Sequence, residues 1–121
     1  MHSLQAANTM LRHMQYNDML IGYIWFSQAA DIADVVDLAV AQAWRSQGVA
    51  SALLTESLHR LKTEGVSTVF LEVRDSNHAA QNLYARYGFK KTHMRNEYYS
   101  DPVEDALCMS LDLTTWVAKN T

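Results

Sequence analysis

The 121-residue sequence contains one cysteine, one proline and four glycines. A lone cysteine, Cys108, excludes an intrachain disulfide and fits a reducing compartment, so a cytoplasmic location is expected. With Pro102 as the only proline and no Gly- or Ser-rich stretch, nothing reads as a linker. The chain is too short for two cores, and a single domain over residues 1–121 is expected. There are no repeats or low-complexity tracts. No apolar run reaches the ~18 residues of a membrane span. The start, Met1-His2-Ser3-Leu4-Gln5, lacks the basic-then-apolar layout of a secretory leader. Positive charge is not in excess either. A net charge of −3 argues against general nucleic-acid binding and leaves a surface that tolerates a basic polypeptide. The histidines at 2, 13, 59, 78 and 93 show no paired ligand spacing, so no metal site is expected.

What is present is an ordinary globular composition, 49% apolar and 19% charged. Residues 9–15 and 20–27 read as strands joined by the polar turn Tyr16-Asn17-Asp18-Met19. Residues 34–40 form a third strand, mostly apolar on both faces, as expected of a central strand covered by helices. The clearest helix spans 49–64. Ala50, Leu53, Leu54, Leu58 and Leu61 recur at helical spacing, Glu56, His59, Arg60 and Lys62 fill the other side, and Gly65 ends it. Residues 67–73 make a β-branched and aromatic strand. Ser76-Asn77 supplies an N-cap for a helix over 79–87, stopped by Gly88. Residues 89–98 and 106–113 close the pattern as an antiparallel pair around Ser100-Asp101-Pro102. The order β-β-β-α-β-α-β-β predicts a mixed sheet with one parallel, right-handed crossover.

The segment from Val40 to Ser51 carries the strongest signal. An apolar strand runs into Arg45-x-x-Gly48-x-Ala50, and a helix begins at once. Free backbone N–H groups and a positive helix end then converge on one point, which suits a diphosphate. A Walker loop needs a Lys-Ser/Thr pair after its second glycine, and a dinucleotide fingerprint needs three spaced glycines; this turn has only Gly48. The remaining common user of such a turn is the pyrophosphate of coenzyme A.

Arg45-x-x-Gly48-x-Ala50 resembles the acyl-CoA signature of the GNAT acetyltransferase superfamily. Further motifs follow in the family's order and spacing. They are Leu71-Glu72-Val73-Arg74-Asp75-Ser76-Asn77, Leu83-Tyr84-Ala85-Arg86-Tyr87-Gly88-Phe89, Arg95-Asn96-Glu97-Tyr98-Tyr99 and Glu104-Asp105-Ala106-Leu107-x-Met109. From about residue 9 to 113 the chain is similar to the ribosomal-protein-alanine N-acetyltransferase (Rim) family, which acetylates protein α-amino groups. The resemblance implies an α/β (α+β) fold. Its mixed, mainly antiparallel sheet would hold a central β-α-β acyl-CoA-binding unit and lack the usual first strand and helices. Members carry those elements ahead of the matched region, where they help cradle the acceptor. The chain is therefore read as an N-terminally short version, natural or artificial. An exposed strand edge and uncovered apolar surface should invite pairing with a second copy, as a homodimer.

Acetyl transfer from a thioester to an amine requires a held cofactor, a deprotonated ammonium and a stabilised thiolate. The resemblance assigns acetyl-CoA to the turn. Amides near Gln47, Gly48, Val49, Ala50 and Ser51 would bind the pyrophosphate, and Gly48 and Ala50 are small enough to allow close approach. Arg45 would add charge or shape the loop. The backbone of Leu38, Ala39 and Val40 would pair with the pantetheine arm like an added strand. Relatives splay this strand from the next one, a feature that this sequence does not itself reveal.

Glu72, inside a strand between Leu71 and Val73, matches the family base. A carboxylate in partly buried surroundings has a raised pKa and suits an α-ammonium of pKa roughly 8. The other reading is an outward-facing strand glutamate. Tyr84 matches the family acid that protonates the CoA thiolate, and it also fits a core tyrosine. Asn77 caps a helix and would also bond pantetheine. Tyr98 and Tyr99 match the paired tyrosines of the peptide slot. Glu97, Asp101, Glu104 and Asp105 would attract a basic tail or form a solvated acidic turn.

The expected function is acetyl-CoA-dependent acetylation of a protein N-terminus, a ribosomal protein's in particular, by direct attack and with neither nucleic acid nor membrane as partner. Cys108 has no histidine at a telling spacing and is not expected to act as a nucleophile. Two alternatives keep the cofactor site: acetylation of a lysine side chain or small-molecule amine, and a non-catalytic acyl-CoA-binding module.

Overall fold

The computed structural model describes residues 8–117. Its elements, in chain order, are β1 (Asn8–Tyr16), β2 (Met19–Ala29), β3 (Ile32–Val40), a short 3-10 turn (Gln42–Trp44) and α1 (Val49–Thr63). Then follow β4 (Thr68–Arg74), α2 (His78–Arg86), β5 (Lys90–Ser100) and β6 (Val103–Asp112). The first hairpin closes at Asn17 and Asp18, both with positive φ (50° and 65°), as a tight hairpin turn demands of Asn and Asp.

The strands form one six-stranded sheet in the order β1-β2-β3-β4-β6-β5. Every neighbouring pair is antiparallel except β3 and β4. That parallel pairing is confined to Ile32, Ala33 and Asp34 against Thr68, Val69 and Phe70. Beyond Asp34 the two strands part. The sheet is thus two three-stranded halves joined at one end.

Alternation puts Val69, Leu71 and Val73 of β4 and Leu107, Met109 and Leu111 of β6 on the core face. Leu53, Leu54, Leu58 and Leu61 of α1 pack against that face with Ile24 and Phe26 of β2. Tyr84 of α2 and Phe89 join the same cluster with rings 5.5 Å apart, edge to face. Tyr87 fastens the end of α2 to α1, its hydroxyl 2.9 Å from the Ser51 carbonyl and 2.7 Å from the Thr55 hydroxyl.

Among the described residues nothing covers the other face of the sheet. Leu11, Trp25, Ile32, Val36 and Phe70 are all exposed. This corrects the expectation for the third strand: Ala33 and Val35 are buried, but Ile32, Asp34, Val36 and Asp37 are exposed, so helices cover it on one side alone. A central strand reads as apolar throughout when it is buried on both faces; here the apolar residues of the second face lack cover. Among the described residues β1 forms one edge of the sheet. No helix among the described residues is long and apolar enough to cross a membrane.

Candidate active site

The parting of β3 from β4 opens a cleft of about 600 Å³. Leu38 and Val40 of β3, Glu72 of β4, Asn77, Tyr84 of α2 and Tyr99 of β5 line it. At one end stands the turn before α1, with Arg45, Ser46, Gly48, Val49, Ala50 and Ser51. The expected site residues Ala39, Gln47 and Tyr98 are not in its lining. Ala39 faces Tyr23 in the β2–β3 ladder, and the Gln47 amide donates to the Ala43 carbonyl at 3.1 Å. Tyr98 is exposed and edge-on to Tyr99, with ring centroids 5.1 Å apart.

The turn owes its shape to two glycines and an arginine. Gly48, just before α1, has φ 83°, a left-handed conformation that a residue with a Cβ adopts at a cost. No side chain among the described residues caps α1, so the amides of its first turn remain open to an anion. The Arg45 Nε donates to the Val40 carbonyl at 3.2 Å and so braces the turn against the end of β3. Gly22 of β2, opposite Val40, lies beneath the start of α1. A Cβ there would stand 2.8 Å from Val49 Cγ1 and 3.2 Å from the Ala39 carbonyl oxygen. Gly22 therefore sets how closely the helix start approaches the sheet, which a lone glycine inside a strand does not announce.

Asn77 starts α2, its Oδ1 accepting from the Ala80 N–H at 3.1 Å, as the capping expectation required. Seven residues on, the Tyr84 hydroxyl is pushed up to about 12, first by burial and then by the charges of Asp37 and Tyr99. Tyr84 consequently holds its proton at neutral pH, the state a general acid needs. The Tyr99 hydroxyl is also raised, by burial first, then by Tyr98 and Glu72, with Arg74 opposing. Cys108 faces Glu72 across the β4–β6 ladder, and burial, then Glu72, push its thiol up. A thiol kept protonated is a poor nucleophile. Its neighbour on β5 is His93, an exposed residue whose Nδ1 lies 3.1 Å from the Thr92 hydroxyl.

Arg74 ties the tip of β4 to the β5–β6 turn. Its guanidinium donates to the Pro102 carbonyl (3.0 Å), the Asp101 carbonyl (3.3 Å) and Glu104 Oε1 (3.3 Å). It also lies 4.3 Å from the centre of the Tyr99 ring. Glu104 Oε2 accepts from the Ser76 N–H at 2.6 Å, and Asp105 Oδ1 accepts from the Glu97 N–H at 2.8 Å. Two of the four acids expected to attract a substrate tail are therefore committed within the fold. Asp37, which sequence reasoning passed over, lines the cleft; its Oδ2 accepts from the Tyr23 hydroxyl at 2.5 Å.

A strand edge freed on one side, an uncapped helix start at its end and a carboxylate and phenol between them thus meet in one cleft. Residues 3–89 match the family model for the acetyltransferase (GNAT) family, and the chain belongs to that family. Its relatives include ribosomal-protein-alanine N-acetyltransferases. It is 39% identical over 99 residues to a [ribosomal protein bS18]-alanine N-acetyltransferase of Haemophilus ducreyi, covering 79% of this chain and 68% of that protein. The corresponding Escherichia coli (strain K12) protein is 40% identical over 86 residues, 69% of this chain and 58% of that one. In three dimensions the chain resembles the crystal structure of the ribosomal-protein-S18-alanine N-acetyltransferase from E. coli. The TM-score is 0.82 at 30% identity, covering 99% of this chain and 76% of that one. The fold is shared with a GNAT family acetyltransferase from Elizabethkingia anophelis solved with acetyl-CoA bound (TM-score 0.78, 21% identity, 86% of this chain and 76% of that one). The chain spans 58% to 68% of the length of the two curated relatives.

Proposed function

We propose that this chain transfers the acetyl group of acetyl-CoA to the α-amino group of a protein N-terminus, with a ribosomal protein as substrate. The observation that carries the proposal is the meeting of Glu72, Tyr84, Asn77 and Tyr99 in the cleft between β3 and β4, with the α1 turn at its mouth. The turn amides receive the diphosphate, and the pantetheine arm lies along Leu38 to Val40 in place of the missing strand partner. Glu72 takes a proton from the ammonium, directly or through a water. The freed nitrogen lone pair attacks the thioester carbonyl, and the C–N bond forms. As the tetrahedral centre collapses, the C–S bond breaks, Tyr84 gives its proton to the leaving sulfur, and the attacking nitrogen sheds its second proton, which restores the Tyr84 phenol through solvent, while the proton on Glu72 passes to water. No covalent enzyme intermediate is required. Tyr99, held by Arg74, forms the wall that an N-terminal residue meets.

The test is mass spectrometry of peptides incubated with the chain and acetyl-CoA. Free Ala- and Ser-starting N-termini should be acetylated, whereas N-terminally blocked lysine peptides and a polyamine should not. E72Q should lower turnover about a hundredfold, within the usual range for losing a general base, and leave acetyl-CoA binding intact. Acetylation of lysine or polyamine alone would overturn the acceptor assignment, and unchanged turnover of E72Q would remove Glu72 as base.

We infer in addition that two copies pair through β1. Among the described residues nothing pairs with its outer hydrogen-bonding edge over Asn8–Tyr16, and Leu11 of β1 is exposed on the sheet face beside it. Light scattering should show a mass that doubles with concentration; one constant monomer mass at every dilution contradicts the pairing.

A further inference from the structure

The cleft holds a carboxylate, that of Asp37, with no ion-pair partner among the described residues. Asp37 from β3 and Glu72 from β4 both line the cleft, together with the hydroxyl-bearing Tyr84 and Tyr99. Three arginines also line the cleft. Arg45 is turned to the Val40 carbonyl beside the diphosphate turn. Arg74 is shared among Glu104, the Asp101 and Pro102 carbonyls and the Tyr99 ring. Arg86 stands in the last turn of α2, two residues past Tyr84 and therefore on another side of that helix. None of them is paired with Asp37. One oxygen of Asp37 accepts from Tyr23, and the other has no hydrogen bond among the described residues.

A carboxylate at this place does nothing favourable for the cofactor, because the sulfur gains negative charge as the thioester breaks and the diphosphate is an anion. Besides helping to keep the Tyr84 phenol protonated, its charge is favourable toward a cation. An α-amine, with a pKa near 8, arrives at neutral pH as the ammonium.

We propose that Asp37 is the seat of the acceptor's ammonium: Tyr23 holds one carboxylate oxygen, the other receives an N–H of the protonated N-terminus, and Glu72 across the cleft removes a proton from it. This assignment rests on the proposed acceptor class. It also gives the site a means of release. The acetylated product has a neutral amide in place of the ammonium, and the seat no longer holds it.

The test is a binding comparison in the complex with CoA. Two peptides of one sequence are used, the first with an N,N-dimethylated N-terminus, a cation that cannot be acetylated, and the second with an acetylated N-terminus. The wild type should prefer the dimethylated peptide at least about tenfold, the scale of a charge-assisted hydrogen bond. D37N should lose that preference while its affinities for CoA and for the acetylated peptide stay within about twofold of wild type. A wild type without the preference overturns the assignment, as does a D37N variant that keeps it or that weakens both peptides alike. A preference lost in E72Q and kept in D37N gives the seat to Glu72. Acetylation of the free-amine peptide, measured beside it, tests the acceptor class alone, so the two readings fail separately.

Discussion

Tyr84 shows how one side chain serves packing and chemistry together. Its ring fills the core against Phe89, and the burial that stabilises the ring also disfavours the phenolate. The cost has a definite sign. In the unfolded chain the phenol ionises near 10, whereas in the folded one it ionises at about 12. The folded state then keeps its proton while the unfolded state loses it, so the Tyr84 contribution is intact below pH 10 and is lost as pH rises through 12. The size is about 3 kcal/mol by linkage. Urea unfolding followed from pH 9 upward should show a steeper alkaline loss of stability in wild type than in Y84F, by about that amount. Equal slopes would mean that the phenol is not shielded. At this scale the placing of Glu72, Asn77 and Tyr84 in one cleft was legible, because they sit at fixed spacing within short motifs. Asp37 was not legible. One acid in an apolar strand reads as solvated until the register shift at Trp25 and Phe26 and the parting of the strands are known. Nor was the commitment of Glu104, whose partners Arg74 and Ser76 lie 30 and 28 residues away.

Elements were easier to read than their neighbours. The helices at Val49–Thr63 and His78–Arg86 fall within about one residue of their expected spans, the ordinary uncertainty of helix ends. Apolar periodicity and capping residues are local signals. How far β3 and β4 run together is set by α1 and the crossover, and no periodicity encodes it. The pairing stops after three residues, which leaves the cleft-side backbone of β3 without a ladder. If the pantetheine arm supplies that ladder, amide exchange in residues 35–40 should slow about tenfold or more with saturating acetyl-CoA. Exchange in β1, which contributes no residue to the cleft, should change less. Uniform slowing, or none in 35–40, would place the arm elsewhere.

Over the whole molecule the two faces of the sheet have different fates. One is closed by α1 and α2 around a single cluster running from Ile21 to Trp116. The other leaves Leu11, Trp25, Val36 and Phe70 in water. Composition could not distinguish a covered face from a bare one, because both are built from the same apolar residue types. The order of elements along the chain and the parallel crossover were legible because connection lengths leave few alternatives. The narrow junction between the half-sheets bears on how long the protein lasts. A coenzyme gripped by both halves binds the folded chain and finds no such grip on the unfolded one. At a hundredfold excess over its dissociation constant such a ligand adds about 2.7 kcal/mol. Spent CoA offers the same diphosphate and the same arm as its acetylated form. Survival against proteases then follows the total coenzyme pool, while catalysis follows only its acetylated share.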